Sequence, residues 1–365
     1  MKYNHIKYKT FDYIDSIYRK KKTSEIRFNK LRFDRQERIS PFPKKFLELI
    51  HKKFKSEHIT CYPELNNLYK KFSKLLNIKE NNILFTQGSD LAIKLCFELL
   101  IKKQDHVITI FPTYGMTNVY CKIFEAKEER IFFTENLNLD LENLISRINK
   151  KTKLIILANP NSPTGTIIPE EKIKIILKRA KECDAFVLID ECYYGFYKKT
   201  AIKKINKYSN LIISRSFSKA FGMAGCRVGV LISNKFLIEK LKKFLPMHEI
   251  SHFSAFIAEL LLDNKKIYMD YLKNTNLGKK YFEQFLKRKK LKFFQSYANF
   301  ILVDFRSKKN MNKILNAAKR KKILIHGEPF IPGCDNYIKF TTGPIYYMKI
   351  LKNLINENYY ETKNI

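Results

Sequence analysis

Ser214-Arg215-Ser216-Phe217-Ser218-Lys219-Ala220-Phe221-Gly222-Met223-Ala224-Gly225-Cys226-Arg227-Val228-Gly229 sets one lysine between small hydroxyl residues and a glycine-punctuated turn, with an arginine eight positions on. An apolar run, Asn210-Leu211-Ile212-Ile213, leads in, and Val228-Gly229-Val230-Leu231-Ile232 follows. Both runs read as strands, because short aliphatic stretches bounded by turn residues favour buried, extended backbone. Lys219 is therefore expected on a loop between buried strands. That placement suits a lysine that bonds covalently to an aldehyde. Ser216, Ser218 and Arg227 add donors for a phosphate close by.

Working outward, similar apolar runs recur at Ile83–Phe85, Val107–Ile110, Leu154–Leu157 and Phe186–Ile189, separated by amphipathic stretches. Continuous Ile/Leu/Val runs alternating with helices predict a mostly parallel sheet covered on both faces, a doubly wound α/β domain. Residues 44–55 carry Phe46, Leu47, Ile50 and Phe54 at helical spacing. Before them, Pro41 and Pro43 disfavour helix, so the basic, aromatic N-terminal segment is expected to be extended. Beyond about residue 250 the pattern changes. One long helical stretch (Ala255 to Lys289), a strand at 299–304, a helix from Met311 to Lys322 and strands at 323–325 and 337–341 read as a smaller α+β domain.

The chain has 365 residues, enough for a large core and about two domains. No run of about 18 apolar residues predicts a membrane span. Met1 to Lys22 is polar and basic, without the apolar segment of a signal peptide, and points to the cytoplasm. Seven cysteines without metal-like spacing read as reduced thiols, so no metal site is expected. The net charge of +35 raises the question of nucleic-acid binding. The excess is mostly lysine spread along the whole chain among many Ile, Asn, Phe and Tyr, the composition an AT-rich genome gives, so no nucleic-acid partner is expected. Attraction of anionic substrates is the milder consequence.

Five further stretches carry chemistry. Asp190 ends the run Phe186–Ile189, and the carboxyl ends of strands are where doubly wound sheets place ligands; it could equally be a strand-end turn residue. Gln87-Gly88-Ser89-Asp90 opens the helical run from Leu91, which makes it either a phosphate site or a plain helix cap. Phe111-Pro112-Thr113-Tyr114-Gly115-Met116 follows a strand and exposes an aromatic ring for stacking or for packing. Asn159-Pro160-Asn161-Ser162-Pro163-Thr164-Gly165 follows another, and Tyr62-Pro63-Glu64 lies upstream of all of them.

These motifs, S-x-S-K-x-x-G-x-x-G-x-R above all, resemble the class I/II aminotransferase family of pyridoxal-phosphate (PLP) enzymes over roughly residues 30–345. Within it they are most similar to histidinol-phosphate aminotransferases and related threonine-phosphate decarboxylases. The resemblance implies PLP fold type I, with a large PLP-binding domain (45–250) and a small domain from both chain ends (1–44 and 251–365). It implies that Lys219 holds PLP and moves the proton, that Asp190 pairs with the pyridine nitrogen, and that Tyr193 bonds the phenolic oxygen. Ser89, Asp90, Ser216, Ser218 and Arg227 would surround the phosphate, and Tyr114 would stack on the ring. Ser162 stands where the family has asparagine, with Asn161 available to assist, and Tyr62 would reach the cofactor of a neighbouring subunit in a homodimer.

Two family arginines that clamp the substrate anion are replaced, by Lys339 and by His326. Lysine cannot make the planar two-point clamp, and Arg38 is the candidate to supply the missing guanidinium. The expected reaction is transamination of a small, phosphorylated amine or amino acid, with a common amino acid as second partner. The alternative is a PLP-dependent decarboxylase of a phosphorylated amino acid such as phosphothreonine or phosphoserine. A DNA-binding regulator built on the same fold needs an extra domain for which the roughly 40 residues before the core are too few.

Overall fold

The computed structural model describes residues 26–327 and 334–359. Part of the N-terminal segment expected to be extended, residues 1–25, lies outside them. The strands are β1 (Leu31–Arg32), β2 (Ile83–Thr86), β3 (His106–Phe111), β4 (Lys127–Phe132), β5 (Thr152–Ala158), β6 (Phe186–Asp190), β7 (Leu211–Ser216), β8 (Gly229–Ile232), β9 (Phe300–Asp304), β10 (Ile323–Leu324), β11 (His326–Gly327) and β12 (Tyr337–Thr341).

Seven of them form one sheet in the order β2-β8-β7-β6-β5-β3-β4. Neighbours from β7 to β4 pair in parallel, while β8 runs antiparallel to β7 and β2. Alternation of side chains along each strand explains why the runs are apolar throughout. Leu154, Ile156, Leu188, Ile212 and Leu231 pack on one face against Ala92, Leu95 and Phe97 of the helix Gly88–Leu100. Ile155, Leu157, Val187, Ile189, Ile213 and Val230 pack on the other, against Ile173, Ile176 and Leu177 of the helix Glu170–Glu182. The edge strand β4 was not foreseen. Its sequence, Lys-Glu-Glu-Arg-Ile-Phe, has one fully buried side chain, since a charged edge strand resists pairing with other chains.

The single helix expected over 255–289 is two. Asn264 leaves the helical conformation (φ −107°, ψ 54°) between His252–Asp263 and Lys265–Arg288. Ala255, Ala258 and Leu261, and Tyr268 past the break, join the core of the large sheet, whereas Phe282, Phe285 and Leu286 further along the second helix join a second core. That second core contains Ile301, Val303, Ile338, Phe340, Met348 and Leu351, and it also takes in Phe33 and Ile39 from the start of the chain. The expected strand at 323–325 is found as β10, and β11 beyond it was not foreseen. β10 pairs in parallel with β1, and β11 continues onto β12, which pairs with β9. No helix among the described residues is long and apolar enough to cross a membrane.

Candidate active site

Because β5, β6 and β7 are parallel, their carboxyl ends share one rim, and a cavity of about 440 Å³ opens there, within the range of small-molecule sites. Ala158, Asp190 and Ser216, the last residues of these strands, all line it.

Asp190 is 4% exposed, and Ser214 on the neighbouring strand donates to its Oδ1 at 2.7 Å. Burial pushes the carboxyl up from its usual 3.8 to about 6. Among the described residues no lysine or arginine forms an ion pair with it. Alternation turns the next residue, Glu191, to the far side, where it meets Arg215 at 2.8 Å in an almost wholly buried pair. Thr200 Oγ1 and the Ala201 N–H also donate to Glu191, and the Arg215 guanidinium lies 3.6 Å from the centre of the Tyr194 ring. This network holds the ends of β6 and β7 in register from behind.

The lysine loop leaves β7 at Ser216, whose hydroxyl accepts from the Ser218 N–H. Lys219 Nζ donates to the carbonyl of Arg35 at 2.9 Å, and burial lowers its pKa. The buried Tyr193 phenol, 5.9 Å from that ammonium by its ring centre, is pushed well above its ordinary pKa by burial and sits beside the Ser162 hydroxyl.

At the opposite end of the cavity the helix Gly88–Leu100 points its N-terminus inward, with Ser89 and Asp90 lining the space. Gly88 is required here. Its φ is +80°, and a Cβ would come within 2.4 Å of Arg227 Nη2. Arg227 instead reaches Asp90 Oδ2 at 2.9 Å and Ser218 Oγ at 3.5 Å. Tyr114 donates to Asp90 Oδ1 at 2.5 Å, which fixes its ring over the cavity wall.

The structure thus gathers Ser89, Asp90, Tyr114, Ser162, Asp190, Tyr193, Ser216, Ser218, Lys219 and Arg227 around one space. It does not bring Arg38 there. Arg38 is buried, donates to the carbonyls of Ser40 and Pro41 at 3.0 Å, and lies over the rings of Phe42 and Tyr271. It packs beneath the lysine loop, where a Cβ on Gly222 would come within 2.6 Å of Arg38 Cδ. Asn161 is likewise committed elsewhere, donating to Pro112 O and Thr164 Oγ1. His326 and Lys339 do not line the cavity; they face each other across the β11–β12 pair, with His326 Nε2 3.5 Å from Oδ2 of the lining residue Asp34. Tyr62 is 79% exposed and stacks on His248, away from the cavity. Residues not foreseen on the cavity wall are Asp34, Arg35, Gln36, Glu37 and Cys192, with the apolar Ala158, Pro160 and Ala224. The alternating charges of Asp34-Arg35-Gln36-Glu37-Arg38 were a signal, but only a fold shows which arginine faces in.

Pyridoxal phosphate fits this donor set. A helix N-terminus with hydroxyls and Arg227 suits its phosphate, and a buried carboxylate lacking a cationic partner suits a protonated ring nitrogen.

A profile of the family described as aminotransferase class I and II matches residues 28–349. A histidinol-phosphate aminotransferase of Caldanaerobacter subterraneus subsp. tengcongensis is 30% identical over 319 residues, 86% of this chain and 89% of the relative. The crystal structure of the histidinol-phosphate aminotransferase from Clostridium acetobutylicum superposes with a TM-score of 0.79 at 25% identity, covering 90% of this chain and 98% of that one. The enzyme of the same name from Sinorhizobium meliloti, solved in complex with pyridoxal-5'-phosphate, shares the fold with a TM-score of 0.79 at 20% identity, covering 89% and 90%.

Proposed function

The chain belongs to the aminotransferase class I and II family, as a PLP-dependent aminotransferase, and we propose that it acts on a small phosphorylated amine or amino acid, with a common amino acid as second partner. The observation that carries this reading is the Lys219 amine, its pKa lowered by burial, in one cavity with a buried unpaired carboxylate and an anion-binding helix N-terminus. Bound pyridoxal phosphate supplies an electron sink for a substrate carbon that gives up a proton. Asp190 holds a ring nitrogen in its protonated form, and Ser214 fixes the carboxylate for that contact. Ser89, Ser216, Ser218, Arg227 and the N–H groups of the helix start hold a phosphate. Tyr193 and Ser162 offer hydroxyls to a phenolic oxygen, and the Tyr114 ring covers a flat ligand. Lys219 takes and returns the proton at the amine-bearing carbon of the substrate, for which a lowered pKa is suited.

The active unit in this reading is a homodimer. Ile59, Tyr62 and Met247 leave large apolar surfaces exposed, which supports a partner surface where Tyr62 lies. Mixing Lys219→Ala protein with a Tyr62→Ala variant should restore part of the activity, because hybrids carry one intact site.

Names of the relatives make histidinol phosphate the first candidate substrate. The PLP-loaded protein should be mixed with histidinol phosphate, O-phospho-L-serine and O-phospho-L-threonine, and the cofactor's absorbance followed. Conversion to the amine form with a carbonyl product is the expected result. Release of carbon dioxide would move the reading to a decarboxylase.

A further inference from the structure

We propose that Arg35 is the residue that binds the substrate's phosphate, in place of the guanidinium the sequence lacks on β12 and after β10. This rests on the function proposed above and names the chemistry of the same site.

The Arg35 peptide is held on every side. The Phe33 N–H donates to Leu324 O, and the Thr341 N–H donates to Phe33 O. Gln36 adopts a left-handed conformation (φ 55°), its N–H bonded to Thr341 Oγ1 and its carbonyl to Nδ2 of the fully buried Asn299. The Arg35 carbonyl takes the Lys219 ammonium at 2.9 Å. The backbone of Arg35 is therefore fixed at one hydrogen bond from the amine that performs the chemistry.

Its side chain lines the cavity, is 57% exposed, and makes no hydrogen bond within the described residues. The nearest carboxylate oxygen, Asp34 Oδ2, is 3.7 Å from Nε and already bonds Arg27 Nη1 at 2.6 Å. Other arginines of the cleft and its N-terminal wall are committed. Arg227 is on Asp90 and assigned to the cofactor's phosphate, Arg215 is on Glu191, Arg38 on backbone carbonyls, and Arg27 and Arg32 on Glu37. Asp34 Oδ2 also lies 3.5 Å from His326 Nε2, so one buried carboxylate tethers Arg35 and His326 side by side. A planar guanidinium fork matches two phosphate oxygens, which neither His326 nor Lys339 can do alone.

The test uses PLP-loaded protein, titrated with O-phospho-L-serine and L-serine and read by cofactor absorbance. Arg35→Gln should weaken O-phospho-L-serine about ten- to a hundredfold and leave L-serine within about twofold, and Arg35→Lys should recover part of the loss. Equal loss on both amines, or none on either, overturns the proposal. If neither amine perturbs wild-type absorbance, the proposed function fails. Arg35 is then decided by calorimetric titration of loaded protein with inorganic phosphate, where equal affinity in wild type and Arg35→Gln overturns it.

Discussion

One wall of the cleft is made of strand ends and the lysine loop, with Asp190, Ser216 and Lys219 following directly from the large sheet. The facing wall is a single peptide, Asp34–Glu37, held against β10, β12 and Asn299. In the first wall each polar side chain is placed by its own strand and matches a local motif. In the second, placement depends on contacts between residues more than 260 positions apart. One wall is therefore built strand by strand, and the other only by the whole fold.

The most severe way to break that division is Lys219→Ala. Turnover in the half-reaction should fall by about 10³-fold or more, because a proton-moving group is worth about 10²–10⁴ and the covalent anchor is lost with it. A fall of tenfold or less would mean that the sheet wall does not carry the chemistry. Next is Glu191→Ala, behind that wall. It leaves the Arg215 charge buried without its partner, and urea unfolding of the cofactor-free protein should show a loss of about 3–5 kcal/mol. A change of a few tenths would show that the ends of β6 and β7 need no such support.

Asp190 gives the third test, through pH. Its folded pKa, about 6, lies above the ordinary 3.8, so the fold favours the protonated form. Stability from this group is present below the ordinary value and lost as pH rises through the folded one. The cofactor-free protein should therefore lose about 2–3 kcal/mol between pH 4 and 6 relative to Asp190→Asn. Cofactor affinity should move the other way, tightening over that window as the carboxylate ionises. Parallel stability curves for the two proteins would contradict the burial argument. The smallest effect sharpens the facing wall. Arg38→Gln should leave O-phospho-L-serine affinity within about twofold while costing about 1–2 kcal/mol of stability for the contacts to Ser40 and Pro41. A large affinity loss from Arg38→Gln would return the substrate role to that residue.

What the sequence displays follows the same division. Apolar runs such as Leu154–Leu157 and Phe186–Ile189 announce central strands because both faces of the sheet are buried. β4 is illegible by that rule, since an edge strand of Lys, Glu and Arg has one face in water. The break at Asn264 is also hidden, because apolar residues continue at helical spacing on both sides and Tyr268 beyond it packs on the same core as Ala258 and Leu261. Asp190, Lys219 and the Ser89 turn can be read from strand ends and helix starts. Arg35 could not be preferred over Arg38, three residues on, because a left-handed Gln36 decides which faces the cleft. Asn161 looked available for a ligand, yet its amide ties the two neighbouring loops together.

The most direct measurement is chemical. The PLP-loaded protein is reduced with borohydride, digested, and the modified lysine located by mass spectrometry. One modified residue, Lys219, is expected among the many lysines of the chain. Modification at any other lysine, or none after the cofactor's visible absorbance has been confirmed, would contradict it.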